Sequence, residues 1–264
     1  MHRLVIYLRK RAKSIHSILE KPEVEYSTNT FHKLRVEIKK VKALFDLIYF
    51  CSEDFEFEKH FRPFKEIFVL AGKVRELQLE EQLLNKYRSS FVLNEYRNTL
   101  SSKLFQEERS YFAMINQELS VQLDNKFQII TSILSKIHKK EGNCYIEKKR
   151  KDIQKLLSEE SLKANDLHNL RKQIKILDYN QKSLSSKEEY HSESNYDQLT
   201  KLLGKWHDCQ IFINHLNIIM EADTLNLEEK SQIKNLKSKI SSKRERYFNK
   251  IEVIMSELKL LKKQ

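Results

Sequence analysis

The sequence is that of an all-α protein, and two scarcities and one period say so. Its 264 residues include only three Gly and two Pro, too few for the many turns of a sheet-rich fold or a doubly wound α/β domain. Apolar residues recur every three or four positions along most of the chain, the spacing of one helix face. Hydrophobic residues make up 40% and charged residues 33%, so a core can be buried and the composition is not that of a disordered segment. No GxGxxG or GxxxxGK[ST] run occurs, which excludes a Gly-rich phosphate loop.

The elements follow in order. Val5, Leu8, Ala12, Ile15 and Leu19 recur as a core-facing first helix would. The basic, acid-free composition of that segment also resembles an organellar transit peptide, but the periodicity favours a structural helix. A secretory signal is excluded because the apolar stretch Leu4 to Leu8 is too short. Pro22 ends this helix, and Ser27, Thr28, Asn29 and Thr30 offer caps for a second one running to about Phe50. Asp54 can cap a third, kinked or restarted at Pro63 and continuing to about Arg88. From Phe91 to about Lys139 the pattern is helical, with a break expected near Asp124. Gly142-Asn143 is the strongest break signal and sets a boundary between halves 1–141 and 142–264. Helices near 145–158 and 162–180 follow, then a polar loop from Gln181 to Ser194, then helices near 195–221 and 226–262. Asn226 and Glu229 have the spacing of a capping box.

Lysine and arginine outnumber aspartate and glutamate 49 to 37, a net charge of +12. Such an excess points to a polyanion: nucleic acid, an acidic membrane surface or a phosphate polymer. The three cysteines, Cys51, Cys144 and Cys209, form no CxxC. A disulfide framework or zinc knuckle is not expected, and a reducing cytoplasm suits them. No apolar run approaches the length of a membrane span.

The two halves repeat each other. Phe31-His32-Lys33-Leu34-Arg35 aligns with Leu167-His168-Asn169-Leu170-Arg171, and Leu70-Ala71-Gly72-Lys73-Val74-Arg75-Glu76 aligns with Leu202-Leu203-Gly204-Lys205-Trp206-His207-Asp208. Two of the three glycines thus take equivalent places. Two matches in the same order predict a duplicated bundle of about four helices per half.

At 100° per residue, Phe31, Leu34, Ile38, Val41, Phe45 and Ile48 form one apolar stripe. His32, Arg35, Lys39 and Lys42 form a second stripe beside it. In the other half His168, Arg171 and Lys175 make the matching basic row beside Leu167, Leu170, Ile174 and Leu177, with Lys172 adjoining. Cations at this spacing repel one another, and a polyanion laid along them relieves the repulsion and releases counterions. Arginine grips two phosphate oxygens at once, whereas lysine acts as a point charge. His32 to Lys42 spans about 15 Å of helix axis, a reach that suits several consecutive phosphoryl groups. A solvated basic face is the bland alternative for one such helix, but it does not account for the second copy.

The segment His32-Lys-Leu-Arg35-Val36-Glu-Ile-Lys39-Lys40-Val-Lys42 resembles the HxxRVxxRRxR signature of the CHAD domain, the conserved-histidine α-helical domain. His168-Asn-Leu-Arg171-Lys172-Gln-Ile-Lys175 resembles the second copy, and the segments at Gly72 and Gly204 add to the match, which covers nearly the whole chain. The resemblance implies two pseudo-symmetric four-helix bundles that bind inorganic polyphosphate in a basic cavity or groove between the halves. Carried over by position, the ligand-facing residues would be His32, Arg35, Lys39, Lys40 and Lys42, then His168, Arg171, Lys172 and Lys175. Asp178 stands where Lys42 does and Ile176 where Lys40 does, so the second site is expected to be weaker or shorter.

Gly72 and Gly204 lie inside helical patterns, where glycine costs about 1 kcal/mol relative to alanine. Close helix packing is the favoured reason for them; the other is room for a phosphate chain beside Lys73 and Lys205. Glu76 and Asp208 are expected to hold neighbouring cations in place. His207-Asp208 suggests an HD-type metal phosphohydrolase with His168 or His191 as further ligands, but no complete ligand set can be named. Glu23-Val-Glu25-Tyr-Ser27 is reminiscent of the ExExK strand of triphosphate tunnel enzymes, without its lysine or a barrel to hold it.

The expectation is therefore a non-enzymatic binder of polyphosphate, needing no cofactor. It would work in the cytoplasm, at polyphosphate granules, beside a separate polyphosphate-metabolising enzyme. The rivals are a sequence-tolerant RNA- or DNA-binding helical protein, a metal-dependent phosphohydrolase, and a scaffold whose charge is incidental. Single-strand binders add exposed aromatics for base stacking, whereas Phe31 and Phe45 lie on the apolar stripe.

Overall fold

The computed structural model describes residues 3–87, 91–159, 162–186, 194–221 and 225–260. Among these the chain forms nine α-helices, one short 3₁₀ turn and no strand. The helices are α1 (Arg3–Leu19), α2 (Thr28–Cys51), α3 (Phe57–Lys86), α4 (Asn94–Met114), α5 (Gln117–Leu134), α6 (Lys139–Ser158), α7 (Ala164–Leu184), α8 (Ser194–Met220) and α9 (Leu227–Leu260). None of them is long and apolar enough to cross a membrane.

Local chemistry sets most of the boundaries. Ser27 caps α2 by accepting from the Thr30 N–H, and the Thr30 hydroxyl accepts from the Ser27 N–H in return, a reciprocal capping box. α1 buries Leu4, Val5, Leu8, Ile15 and Ile18, as its periodicity predicts. Pro63 lies inside the continuous helix α3, and Asp54 sits in the turn before it rather than at its cap.

Four sequence expectations are corrected. The break expected near Asp124 falls instead at Ile115–Asn116, where the Asn116 side chain accepts from the Leu119 N–H and starts α5. Asp124 is mid-helix and pairs with His16 of α1 at 3.0 Å. The break signal at Gly142-Asn143 lies within α6. A Cβ at Gly142 would stand 2.6 Å from Leu184 Cδ2, so the glycine marks a close helix approach and not a turn. α7 runs on to Leu184, four residues beyond the expected end; the remainder of the expected loop, 187–193, lies outside the described residues. Finally, Asn226 caps the Glu229 N–H at 2.8 Å, but the Glu229 carboxylate does not reach back. It caps α4, accepting from the Glu95 and Tyr96 N–H groups, while Glu95 accepts from the Asn226 N–H. Two helix starts exchange their acids, which satisfies the same orphan donors.

The chain divides into two compact units, each built from separated segments. The first contains Met1–Leu79, Lys103–Arg150 and Ile176–His191; the second contains Glu80–Ser102, Lys151–Lys175 and Ser192–Gln264. In the first unit, Phe45 meets Phe55, Phe61 and Phe64 edge-on. Asn180, fully buried, donates to the Ala43 carbonyl and to the Tyr145 hydroxyl, which donates to Asp46. In the second unit α8 and α9 pack along their length, burying Leu203, Phe212 and Leu216 on one side and Ile233, Leu236 and Ile240 on the other. Its buried Glu80 is bonded by the Tyr96 hydroxyl and by His215.

Candidate functional site

In the first unit α2 and α3 lie antiparallel, and cross-helix contacts give their register. Arg75 reaches the Thr28 carbonyl at 3.4 Å, Arg35 the Phe68 carbonyl at 2.5 Å, and Lys42 lies over the Phe61 ring. The apolar stripe of α2 is buried, with Phe31, Leu34, Ile38, Val41 and Phe45 all at 1% exposure or less. Its basic stripe is thereby turned to the rim where α3 runs alongside.

Arg35 is the best-anchored residue of the row. Its guanidinium lies over the Phe68 ring, 4.0 Å from the centroid, a cation–π contact. It also fills the space at Gly72: a Cβ there would collide with Arg35 Nη1. The glycine therefore makes room for an arginine of the neighbouring helix, not for a ligand. Burial lowers the pKa of Arg35, with Glu76 opposing and Arg75 reinforcing that shift; an arginine stays charged regardless.

Around it the charge is concentrated. His32 is exposed, and its pKa is pushed below the ordinary value by partial desolvation, then by Arg75, Lys39 and Arg35. Lys39 lies 5.7 Å from the Phe68 centroid. Thus His32, Arg35, Lys39 and Lys42 of α2 lie along the seam with α3 that also holds Arg75, and Glu76 is the carboxylate felt at Arg35.

Three predicted residues turn elsewhere. Lys40 pairs at 2.8 Å with Glu37, a buried carboxylate that also holds Arg11 of α1 at 3.1 Å. Its side chain serves the α1–α2 contact. Lys73 pairs with Glu107 of α4 at 3.3 Å, and Lys205 lies over the Tyr247 ring of α9.

The second unit repeats the central contact. Arg171 of α7 lies against Gly204 of α8, with its guanidinium nitrogens 3.6 Å from where a Cβ would be. One turn earlier, His168 meets His207 with ring centroids 4.5 Å apart, the place where the first unit sets His32 near Arg75. The Arg171 Nε is buried with no hydrogen-bond partner among the described residues. Lys172 is exposed and Lys175 half-buried on the same helix. Asp178, one turn on, is bound by Lys182 at 2.9 Å and belongs to the first unit.

Sequence reasoning overlooked Arg75 and Phe68 as members of the site. Phe61, Phe68, Gly72 and Arg75 fall at intervals of seven, four and three on α3, so one helical face could have been read there. His207 belongs beside His168, as the metal reading required. Yet among the described residues no group of three or more His, Cys, Asp or Glu is placed to hold a metal ion. His191 lies outside the described residues.

No family model matches the chain, and no curated protein matches it either. Among solved structures it is similar to PptA from Streptomyces chartreusis, with a TM-score of 0.75 and 11% identity, over 96% of this chain and 98% of that one. At such identity the likeness is one of fold, over the full length of both.

Proposed function

We propose that the protein is a CHAD-type binder of inorganic polyphosphate. The phosphates lie along the α2–α3 groove of the first unit and on the related α7–α8 surface of the second. On this reading the two sequence halves, 1–141 and 142–264, are duplicates, each contributing a basic row. The observation that carries it is the convergence of His32, Arg35, Lys39, Lys42 and Arg75 on one groove whose arginine is pre-positioned by a ring and a glycine. An arginine held in place loses less side-chain entropy when it grips two phosphate oxygens.

The groove favours a ligand made only of phosphate over a nucleic acid. Phe68 is the aromatic residue beside Arg35, whose guanidinium occupies one face of the ring. Stacking, which supplies much of sequence-tolerant single-strand binding, would have to compete with Arg35 for that ring. The reading extends to a cytoplasmic place of action at polyphosphate granules and to a separate enzyme that works on the bound polymer. Binding is expected without turnover.

Competition at fixed salt between long-chain polyphosphate and single-stranded RNA tests this. Polyphosphate should displace RNA at equal phosphate concentration; RNA holding its place against polyphosphate would sink the proposal. Phosphate release from polyphosphate with Mg²⁺ or Mn²⁺ present would show a catalyst instead.

A further inference from the structure

α9 carries a basic stripe that has no part in the rows described so far. Lys239, Lys243, Arg246 and Lys250 follow at intervals of four, three and four, which places them within about 60° of one another on the helix. Lys239, Arg246 and Lys250 are exposed and Lys243 half-buried. No acid shares that face between them: Glu245 lies on the other side of the helix. The stripe spans about 16 Å of axis at 1.5 Å per residue.

Its cations differ from those at the start of α3. On α3 each of Lys59, Arg62 and Lys65 is neutralised by a nearby glutamate. On α9, Lys239 lies over the Phe91 ring and the Arg246 Nε donates to the Ser242 carbonyl. Among the described residues none of the four pairs with a carboxylate. Four uncompensated like charges on one helix face destabilise it modestly and are relieved by a bound polyanion.

The stripe also adjoins Lys205, the predicted ligand residue that turns from its own row towards α9. Lys205 of α8 lies over Tyr247 of α9, 5.9 Å from its centroid, and Tyr247 is flanked on its helix by Lys243, Arg246 and Lys250. Lys243 faces the buried Cys209 of α8 together with Arg244 and Asp208; Asp208 trims the field at that end.

We propose that Lys239, Lys243, Arg246 and Lys250 form a second phosphate track, which takes up the continuation of a long polyphosphate chain and so makes the protein selective for chain length. This rests on the polyphosphate reading above. A short oligophosphate is held at the histidine rows and never reaches α9, whereas a long chain gains contacts there.

The test uses the full chain with all four residues replaced, K239Q/K243Q/R246Q/K250Q, beside the double variant R35A/R171A, with thermal melts to verify folding. Each is titrated with tripolyphosphate and with long-chain polyphosphate from 50 to 200 mM salt. The quadruple variant should bind tripolyphosphate within twofold of the parent and lose about tenfold or more in long-chain affinity. Its salt slope should fall by about 3, at roughly 0.7 per lost contact to a single-stranded polyanion. Unchanged long-chain affinity and slope in this variant, while R35A/R171A weakens binding, would overturn the track and leave the main reading standing. Equal losses for short and long chains would also overturn it, by showing a general field. If R35A/R171A changes nothing, the polyphosphate reading itself falls. A variant that loses single-stranded RNA binding and keeps long-chain polyphosphate would reassign the stripe to nucleic acid.

Discussion

The two arginine-on-glycine contacts are the same device held with different tightness. In the first unit Arg35 occupies the Cβ volume of Gly72, overlaps the Phe68 ring and bonds the Phe68 carbonyl. In the second, Arg171 stops at ordinary van der Waals distance from Gly204 and keeps a buried, unbonded Nε. A permanently charged Arg75 stands near His32, whereas a titratable His207 lies against His168. The first row is thus preorganised, with a fixed cation beside its histidine; the second has its arginine less tied and a second imidazole beside its histidine. A shared motif does not imply shared energetics, because the tightness resides in the opposite helix.

The largest effect should come from removing the two arginines. Arg35→Ala should lower long-chain polyphosphate affinity by about 10- to 100-fold, the range for a charge-assisted bidentate contact of about 1.5–3 kcal/mol. Arg171→Ala should cost less, and the double variant should lose the product of the two. Isothermal titration at fixed salt checks this. Equal losses would erase the distinction between the rows.

The glycines should separate the units next. Gly72→Ala must displace the Arg35 guanidinium, the movable end of a long side chain. Its helix-propensity gain of up to about 1 kcal/mol should be largely offset by the lost bond to Phe68, while polyphosphate affinity falls about tenfold. Gly204→Ala meets only ordinary contact distances and should stabilise the fold by up to about 1 kcal/mol with affinity unchanged. Denaturant melts and binding on both variants decide it; a destabilised Gly204→Ala would show that α7 and α8 are closer than described.

Acidity should sharpen the contrast. Partial desolvation, and then the cations round it, hold the free-state pKa of His32 below its ordinary value of 6.5, and bound phosphate should raise it. A group whose pKa is higher in the complex than in the free protein makes binding stronger as pH falls. Affinity should therefore rise from about pH 8 to below 6.5, where the free imidazole at last protonates. His32→Gln should flatten that part of the slope. Stability has the opposite sign: the depressed His32 and His60 pKa values mean that the free protein loses stability as pH falls below about 6.5.

The smallest effect on binding is expected at Lys40. Lys40→Ala should leave polyphosphate affinity within twofold, and should lower stability by about 1 kcal/mol because Glu37 keeps only Arg11 as its ion partner. A tenfold loss of affinity would return Lys40 to the groove.

Much of this architecture was legible along the chain. The helices appear in the spacing of apolar residues, and Ser27 and Asn226 announce helix starts that the structure contains. His32, Arg35, Lys39 and Lys42 share one face by helical geometry alone, and Arg35, Lys39 and Lys42 each meet an aromatic ring of α3. The failures occurred where a residue answers to a distant neighbour. Gly142 looked like a break but accommodates Leu184, Glu229 looked like half of a capping box but caps α4, and Lys40 fitted a motif but pairs with Glu37.

That the chain is helical and that its cations fall in rows can be read along it, since both depend on a local rotation of 100° per residue. Which cations meet depends on how the helices pack. The register between antiparallel helices, set by how their apolar faces interlock, brought Arg75 and Phe68 to Arg35. It sent Lys40 to α1, Lys73 to α4 and Lys205 to α9. That register is a property of two surfaces packed together, and no spacing within one helix contains it.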